Sequence, residues 1–211
     1  MVPYSKTLPR AGRVFFAVLA LLALSGCGRD TGTDTPAELE FEVIPEYLGE
    51  PYETAGIEFR PPFGWLPLDE SQREQVADAL IEEQSEDRFN LEIVDIFLHT
   101  DTLSFAALSA IARDGSRIAE RSEYIESFET ALGPAGDDDI RAQGTFLLNG
   151  IEVTQFRFLR NGRVSFTLIF SAPDKDVMQL DYSIPAAAYE DEGIKLESSI
   201  GTLQTHNRED S

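Results

Sequence analysis

The chain reads as an α+β protein, with an antiparallel sheet of about six strands covered by helices on both faces. Three observations carry this reading. Two Asn-Gly pairs, Asn149-Gly150 and Asn161-Gly162, separate apolar, β-rich runs between residues 145 and 170. Asn-Gly favours the two-residue hairpin turn because both positions need positive φ. The runs therefore form an antiparallel meander, which "DVMQLDYSI" extends to four strands. "FNLEIVDIFLH", Phe89 to His99, is apolar on both alternating faces, as in a strand covered on both sides. Three segments, near 69–84, 116–132 and 186–204, carry apolar residues at helical spacings.

The chain opens on an export address. Lys6, Arg10 and Arg13 precede the apolar run Val14 to Leu24, which is followed by the small residues Ser25 and Gly26 and then by Cys27. A basic region, a short apolar core and small residues at a cleavage site make a signal peptide over 1–26. The core is shorter than the ~20 residues a membrane span needs. Cys27 is the only cysteine, so it has no disulfide partner within the chain.

Leu24-Ser25-Gly26-Cys27 resembles the lipobox of bacterial lipoproteins. The resemblance implies that the Cys27 thiol carries a diacylglycerol, that cleavage falls before it, and that its new amino group is often acylated. Two or more chains anchor stably where one holds marginally. The implied partner is then the lipid bilayer, reached through acylated Cys27. Gly28, by resemblance to enterobacterial sorting, favours an outer membrane facing the periplasm; in an envelope without one, the anchor lies on the outer face of the plasma membrane. The competing reading is a free cysteine in an ordinary signal peptide or short anchor.

Without residues 1–26 the chain has 185 residues and a net charge of −24. That excludes the basic footprint of a nucleic-acid binder. It also leaves the acyl chains, not charge, to hold anionic lipid. Arginine outnumbers lysine 14 to 3. An acidic, lysine-poor surface suits a high-salt organism; a GC-rich genome with an ordinary acidic surface accounts for it equally. The apolar content of 42% suffices for a core.

Residues 27–38, from the acylated cysteine through "GRDTGTDTPAE", form a small, polar, flexible tether. A single α+β domain follows over 39–204, and 205–211 is a disordered tail. "ELEFEVI" alternates and predicts a first strand. "GIEFRPPFGW" predicts a short strand stopped by Pro61-Pro62. Asp69 is the expected N-cap of the next helix, with Gln72 completing a capping box and Val76, Ala77, Leu80 and Ile81 forming its apolar stripe. In the strand Phe89–His99, Leu91, Ile93 and Phe97 are expected on one face and Val94, Ile96 and Leu98 on the other. "LSFAALSAI", Leu103 to Ile111, returns antiparallel through "TDT", though its alanines also fit a helix. The helix over 116–132 turns Ile118, Ile125, Phe128 and Leu132 inward and stops at Gly133-Pro134. The last helix shares a face among Tyr189, Leu196, Ile200 and Leu203.

This element order, with "PPFGW" near the start and "ESSIGTL" in the last helix, resembles the PsbP-like family over roughly residues 40–204. The resemblance implies an antiparallel sheet between helices and an accessory role without catalysis. The family's metal sites find no matching ligand cluster here.

Chemistry-bearing residues are few. His99 ends an apolar strand and His206 lies in the expected tail. Zinc and cysteine-nucleophile chemistry have no donor set, and no phosphate-binding glycine loop or serine elbow is present. No cofactor and no metal is expected. Asp137-Asp138-Asp139 reads as a solvated loop, with a cation site as the rival. Trp65 is a core plug or an exposed contact.

The meander yields one candidate site. Its turns place Arg157 opposite Phe166 and Gln155 opposite Leu168. With a loop over 171–176, Phe166 faces Asp181 and Leu168 faces Gln179. Gln155, Arg157, Gln179 and Asp181 then share an apolar sheet face, as a ligand or partner groove. The plainer alternatives are a partly exposed face or an Arg–Asp pair tying neighbouring strands.

These readings converge on a membrane-tethered extracytoplasmic accessory lipoprotein that contacts an unidentified envelope protein and catalyses nothing. The alternatives are a carrier for an apolar small molecule in a sheet–helix groove and, more weakly, an envelope hydrolase.

Overall fold

The computed structural model describes residues 36–83, 89–113, 120–133, 140–173 and 175–206. The signal segment, Cys27, the tether up to Thr35, Asp137–Asp139, Ile118 and residues 207–211 lie outside them.

The observed class is the expected α+β one. Seven strands form an antiparallel sheet in the order β3-β4-β5-β9-β8-β7-β6. They are β3 (Leu66–Pro67), β4 (Phe89–His99), β5 (Ser104–Arg113), β6 (Ile140–Leu148), β7 (Ile151–Arg160), β8 (Arg163–Ala172) and β9 (Lys175–Pro185). A second sheet joins β1 (Tyr52–Thr54), β2 (Ile57–Phe59) and β10 (Gln204–Thr205) in the order β1-β2-β10. The helices are α1 (Glu70–Glu83), α2 (Arg121–Leu132) and α3 (Tyr189–Gly201).

The meander forms as its turns dictate. Asn149, Gly150, Asn161 and Gly162 all have positive φ, at 49°, 79°, 51° and 72°. Arg160 accordingly pairs with Arg163, Arg157 with Phe166 and Gln155 with Leu168. Residues 104–113 are strand, so sheet pairing overrides the helix propensity of their alanines. Asp69 caps α1 as a capping box: the Gln72 N–H donates to Asp69 Oδ1 at 2.9 Å and the Asp69 N–H to Gln72 Oε1 at 3.4 Å.

Each face of the large sheet carries its own core. On one, α3 lays Leu196, Ile200 and the following Leu203 against Phe166, Leu168, Leu180 and Tyr182. On the other, α2 packs Tyr124, Ile125, Phe128 and Leu132 against Phe156, Ile169 and Val177. Burial of each large apolar side chain contributes about 1.5–3 kcal/mol, and the two cores sandwich the sheet between helices. Two buried serines of "ESSIGTL" tie α3 to the chain around it. Ser199 Oγ donates to the Arg60 carbonyl at 2.6 Å, and Ser198 Oγ accepts the Ile44 N–H at 2.7 Å.

Several expectations are corrected. "ELEFEVI" builds no strand. Glu38 makes an isolated parallel bridge to Leu147, and Leu39 N–H donates to the Leu147 carbonyl at 2.8 Å. The body therefore begins by residue 37, inside the expected tether. Pro45 opens a 3-10 turn right behind the segment and ends any ladder. Its Phe41 instead packs across α3 at Gly201, where a Cβ would stand 2.8 Å from the Phe41 Cβ. Val76 is exposed rather than part of an inward stripe; the side chains of residues 77, 80 and 81 lie outside the description. A bulge between Ile93 and Asp95 breaks the alternation of β4. Leu91, Ile93, Ile96 and Leu98 face α2, while Val94 and Phe97 join the α3 side. The last helix ends at Gly201, and Gln204, expected within it, and Thr205, expected in the tail, pair instead with Glu58 and Ile57.

Candidate functional site

The four residues expected to share one face do not. Ala172 pairs with Lys175 in the expected register, but a second bulge, between Phe170 and Ala172, shifts the rest of β9 by one position. Thr167 now faces Asp181 and Ile169 faces Gln179, while Phe166 faces Tyr182. A one-residue shift sends every side chain to the other face. Gln179 and Asp181 therefore point toward α2, whereas Gln155 and Arg157 point toward α3.

On the α3 side, the Arg157 guanidinium lies over the Phe166 ring, 5.6 Å from its centroid. Burial pushes the Glu197 carboxyl up, and Arg157 partly opposes that shift. Arg157 makes no pair with Asp181.

On the α2 side, the sheet and helix leave a half-open groove of about 490 Å³. Leu91, Ile93, Phe105, Phe128, Leu132 and Phe158 give it apolar walls. Its floor is polar, from Ser109 on β5, Ser165 and Thr167 on β8, and Gln179, Asp181 and Ser183 on β9. Thr167 Oγ1–H donates to Asp181 Oδ1 at 2.5 Å and Gln179 Nε2–H to Asp181 Oδ2 at 2.6 Å. The Tyr124 hydroxyl, from α2, donates to Gln179 Oε1. A satisfied polar chain thus runs from helix to sheet floor. Burial pushes the Asp181 carboxyl up to about 6, against the opposing hydrogen bonds from Gln179 and Thr167.

Ser109, Ser165, Thr167 and Ser183 escaped the sequence reading. For the last three the signal was the two-residue period in "RVSFTLIF" and "LDYSI", which puts hydroxyls on the face opposite Phe166 and Tyr182.

The other candidates resolve differently. Trp65 is 2% exposed, so it is a core residue. Its indole N–H donates to Glu192 Oε2 at 3.1 Å, and Lys195 Nζ donates to Glu192 Oε1 at 2.7 Å. Burial alone would raise the Glu192 carboxyl, but these bonds together hold it below its ordinary value. His99 Nδ1 accepts the Thr102 N–H at 3.3 Å and so closes the β4–β5 turn. His206 stands between two carboxylates that oppose each other across β1 and β2, 3.7 Å from Glu53 and 3.9 Å from Glu58. These three offer ligand atoms within 4.8 Å of one another.

A third feature is a set of exposed apolar side chains toward the end of the sheet that carries the β4–β5 turn. Phe63, Leu66 and Leu103 are 64%, 66% and 63% exposed. Leu66 pairs with Leu98 beside His99, and the His99 ring lies so close to Gly64 that a Cβ there would stand 3.3 Å away. His99 pairs with Ser104, next to Leu103. Leu103 holds φ at +55°, and Arg163 Nη2 donates to its carbonyl at 2.9 Å.

Fold and site together define a helix-covered antiparallel α+β protein with a polar-floored groove and an apolar end. No family model and no curated protein matches the chain. Among solved structures, the chain is similar to the solution structure of cyanobacterial PsbP (CyanoP) from Synechocystis sp. PCC 6803. The identity is 13% and the TM-score 0.41, covering 83% of this chain and 97% of that one.

Proposed function

We propose that the protein is a lipid-anchored extracytoplasmic accessory protein that acts by contacting an envelope protein and catalyses nothing. The tether is acylated Cys27, supported by the lipobox-like Leu24-Ser25-Gly26-Cys27. Among the described residues no helix is long and apolar enough to cross a membrane.

The observation that carries the contact reading is Leu103. A leucine is disfavoured at positive φ, and a large apolar side chain is disfavoured in water. A glycine or asparagine would relieve both. Leu103 keeps both penalties beside Phe63 and Leu66, as an apolar anchor for a partner would. The test is affinity capture from solubilised membranes with the wild-type chain and with Phe63→Ser/Leu66→Ser/Leu103→Ser. The expected result is loss of specific co-purifying proteins at an unchanged melting temperature. Capture of the same proteins by both chains would remove this surface from the reading.

A further inference from the structure

The groove beneath α2 holds a half-buried carboxylate that no side-chain cation pairs among the described residues, and we propose that it binds an amphiphilic primary amine. The apolar body of the ligand lies along the walls and its ammonium sits on Asp181. This goes beyond the partner-contact reading, which concerns the other end of the sheet.

Size comes first. About 490 Å³ falls within the range of small-molecule sites, ~300–1,000 Å³. Phe105, Phe128 and Phe158 line it with aromatic surface, against which an alkyl or aryl body loses water favourably.

Charge comes second. Both Asp181 oxygens take hydrogen bonds from neutral donors, Thr167 and Gln179. Among the described residues no ion pair reaches this carboxylate. A half-buried charge met only by neutral donors is incompletely compensated, and an opposite charge at contact offsets that cost. A carboxylate accepts about four hydrogen bonds, so two places stay open on Asp181.

Preorganisation comes third. Gln179 cannot turn its amide to offer oxygen to Asp181 without giving up the Tyr124 hydroxyl. The network thus presents a fixed acceptor toward the groove. An ammonium brings three donors, for Asp181 and for the hydroxyls of Ser109 and Ser165 on the same floor.

Among the described residues, the charged or titratable groups at the site besides Asp181 are Arg160 on β7, Arg163 on β8, Tyr182 on β9 and Tyr124 on α2. Strands β4 and β5 contribute Leu91, Ile93, Phe105 and Ser109, which carry no charge. Arg160 is exposed, where water and salt screen it. Arg163 is engaged by Ser183, its Nε–H donating at 2.7 Å, and by the Leu103 carbonyl. An anionic amphiphile would meet Asp181 directly, and a neutral one would leave it unpaired.

The test is isothermal titration calorimetry on the full chain carrying Cys27→Ser, which keeps acyl chains out of the assay. Phenylbutylamine is compared with phenylbutanol and phenylbutyric acid at about pH 8. The amine is expected to bind at least about tenfold more tightly than either. Its advantage should fade as pH falls below about 6, where Asp181 takes up its proton. Asp181→Asn should level the three affinities, and Leu132→Trp, which fills the groove from α2, should abolish amine binding. Equal binding of all three probes, an amine preference that survives Asp181→Asn, or no amine binding at all would each overturn the proposal.

Discussion

Thr167 and Asp181 face each other across β8 and β9, and the threonine hydroxyl donates to the carboxylate at 2.5 Å. The bond favours the ionised acid, yet burial outweighs it and the carboxyl rises from 3.8 to about 6. The folded state thus binds the proton more tightly than the unfolded chain. The resulting stabilisation is complete below about pH 4 and is lost as pH rises through about 6. Two pH units correspond to about 2–3 kcal/mol, reduced toward about 2 because the side chain touches solvent along the groove. Asp181→Asn should therefore be more stable than wild type at about pH 8 and no more stable at about pH 4. In the variant, Gln179 can still donate to the Asn oxygen and the Asn amide can donate to Thr167. Urea denaturation of both proteins across this range checks the crossing; parallel curves would show that Asp181 does not titrate as described.

Trp65 and Glu192 allow a second prediction on the α3 side. Glu192→Ala leaves the indole N–H and the Lys195 ammonium without their acceptor in a buried setting. The expected loss is about 2 kcal/mol. Trp65→Phe in the same background should cost less than in the wild type, because the shared bond is already gone. The chain has one tryptophan, so its fluorescence reports the site directly. Since Glu192 is held below its ordinary value, its contribution is present at neutral pH and is lost as pH falls through that lowered value.

What was legible in the sequence followed local chemistry. Asn149-Gly150 and Asn161-Gly162 specify their turns whatever surrounds them, so the pairing of β7 with β8 was readable residue by residue. Asp69 and Gln72 specify a helix start in the same way. The position of β9 was not readable, because it depends on a bulge at Phe170/Ala172 that leaves no mark in residue type. That single step moved Gln179 and Asp181 away from Arg157 and dissolved the expected four-residue groove. Of the small sheet only β2 was readable, as the strand that Pro61-Pro62 stops; β1 and β10, of three and two residues, carry no period. "ELEFEVI" shows the converse, since its alternation suits an edge packed on α3 as well as a ladder. The actual groove is built from hydroxyls on three strands, which come together through register alone.

Leu103 separates stability from recognition. Leu103→Gly removes the penalty of a side chain at φ +55° and an exposed apolar surface together. Stability should stay level or rise by up to about 1 kcal/mol. Partner capture should weaken nonetheless. A variant that melts at the same or higher temperature and captures partners undiminished would show that Leu103 is no anchor.

Cys27 carries the prediction with the widest consequence, because the rest of the proposal depends on location. With residues 1–26 removed, the body has a net charge of −24, and an anionic lipid surface repels it. On the proposed reading attachment comes from acyl chains, each buried methylene contributing about 0.8 kcal/mol. On that reading Cys27→Ser removes the thiol for the first chain and blocks the processing that would expose the amino group for another. The protein should move from the membrane fraction to the soluble fraction, or stay as a slower-migrating, uncleaved form. Mass spectrometry of the wild-type N-terminus should find an acylated cysteine at residue 27. A Cys27→Ser chain that remains membrane-bound after full cleavage would show that something other than the lipid holds it.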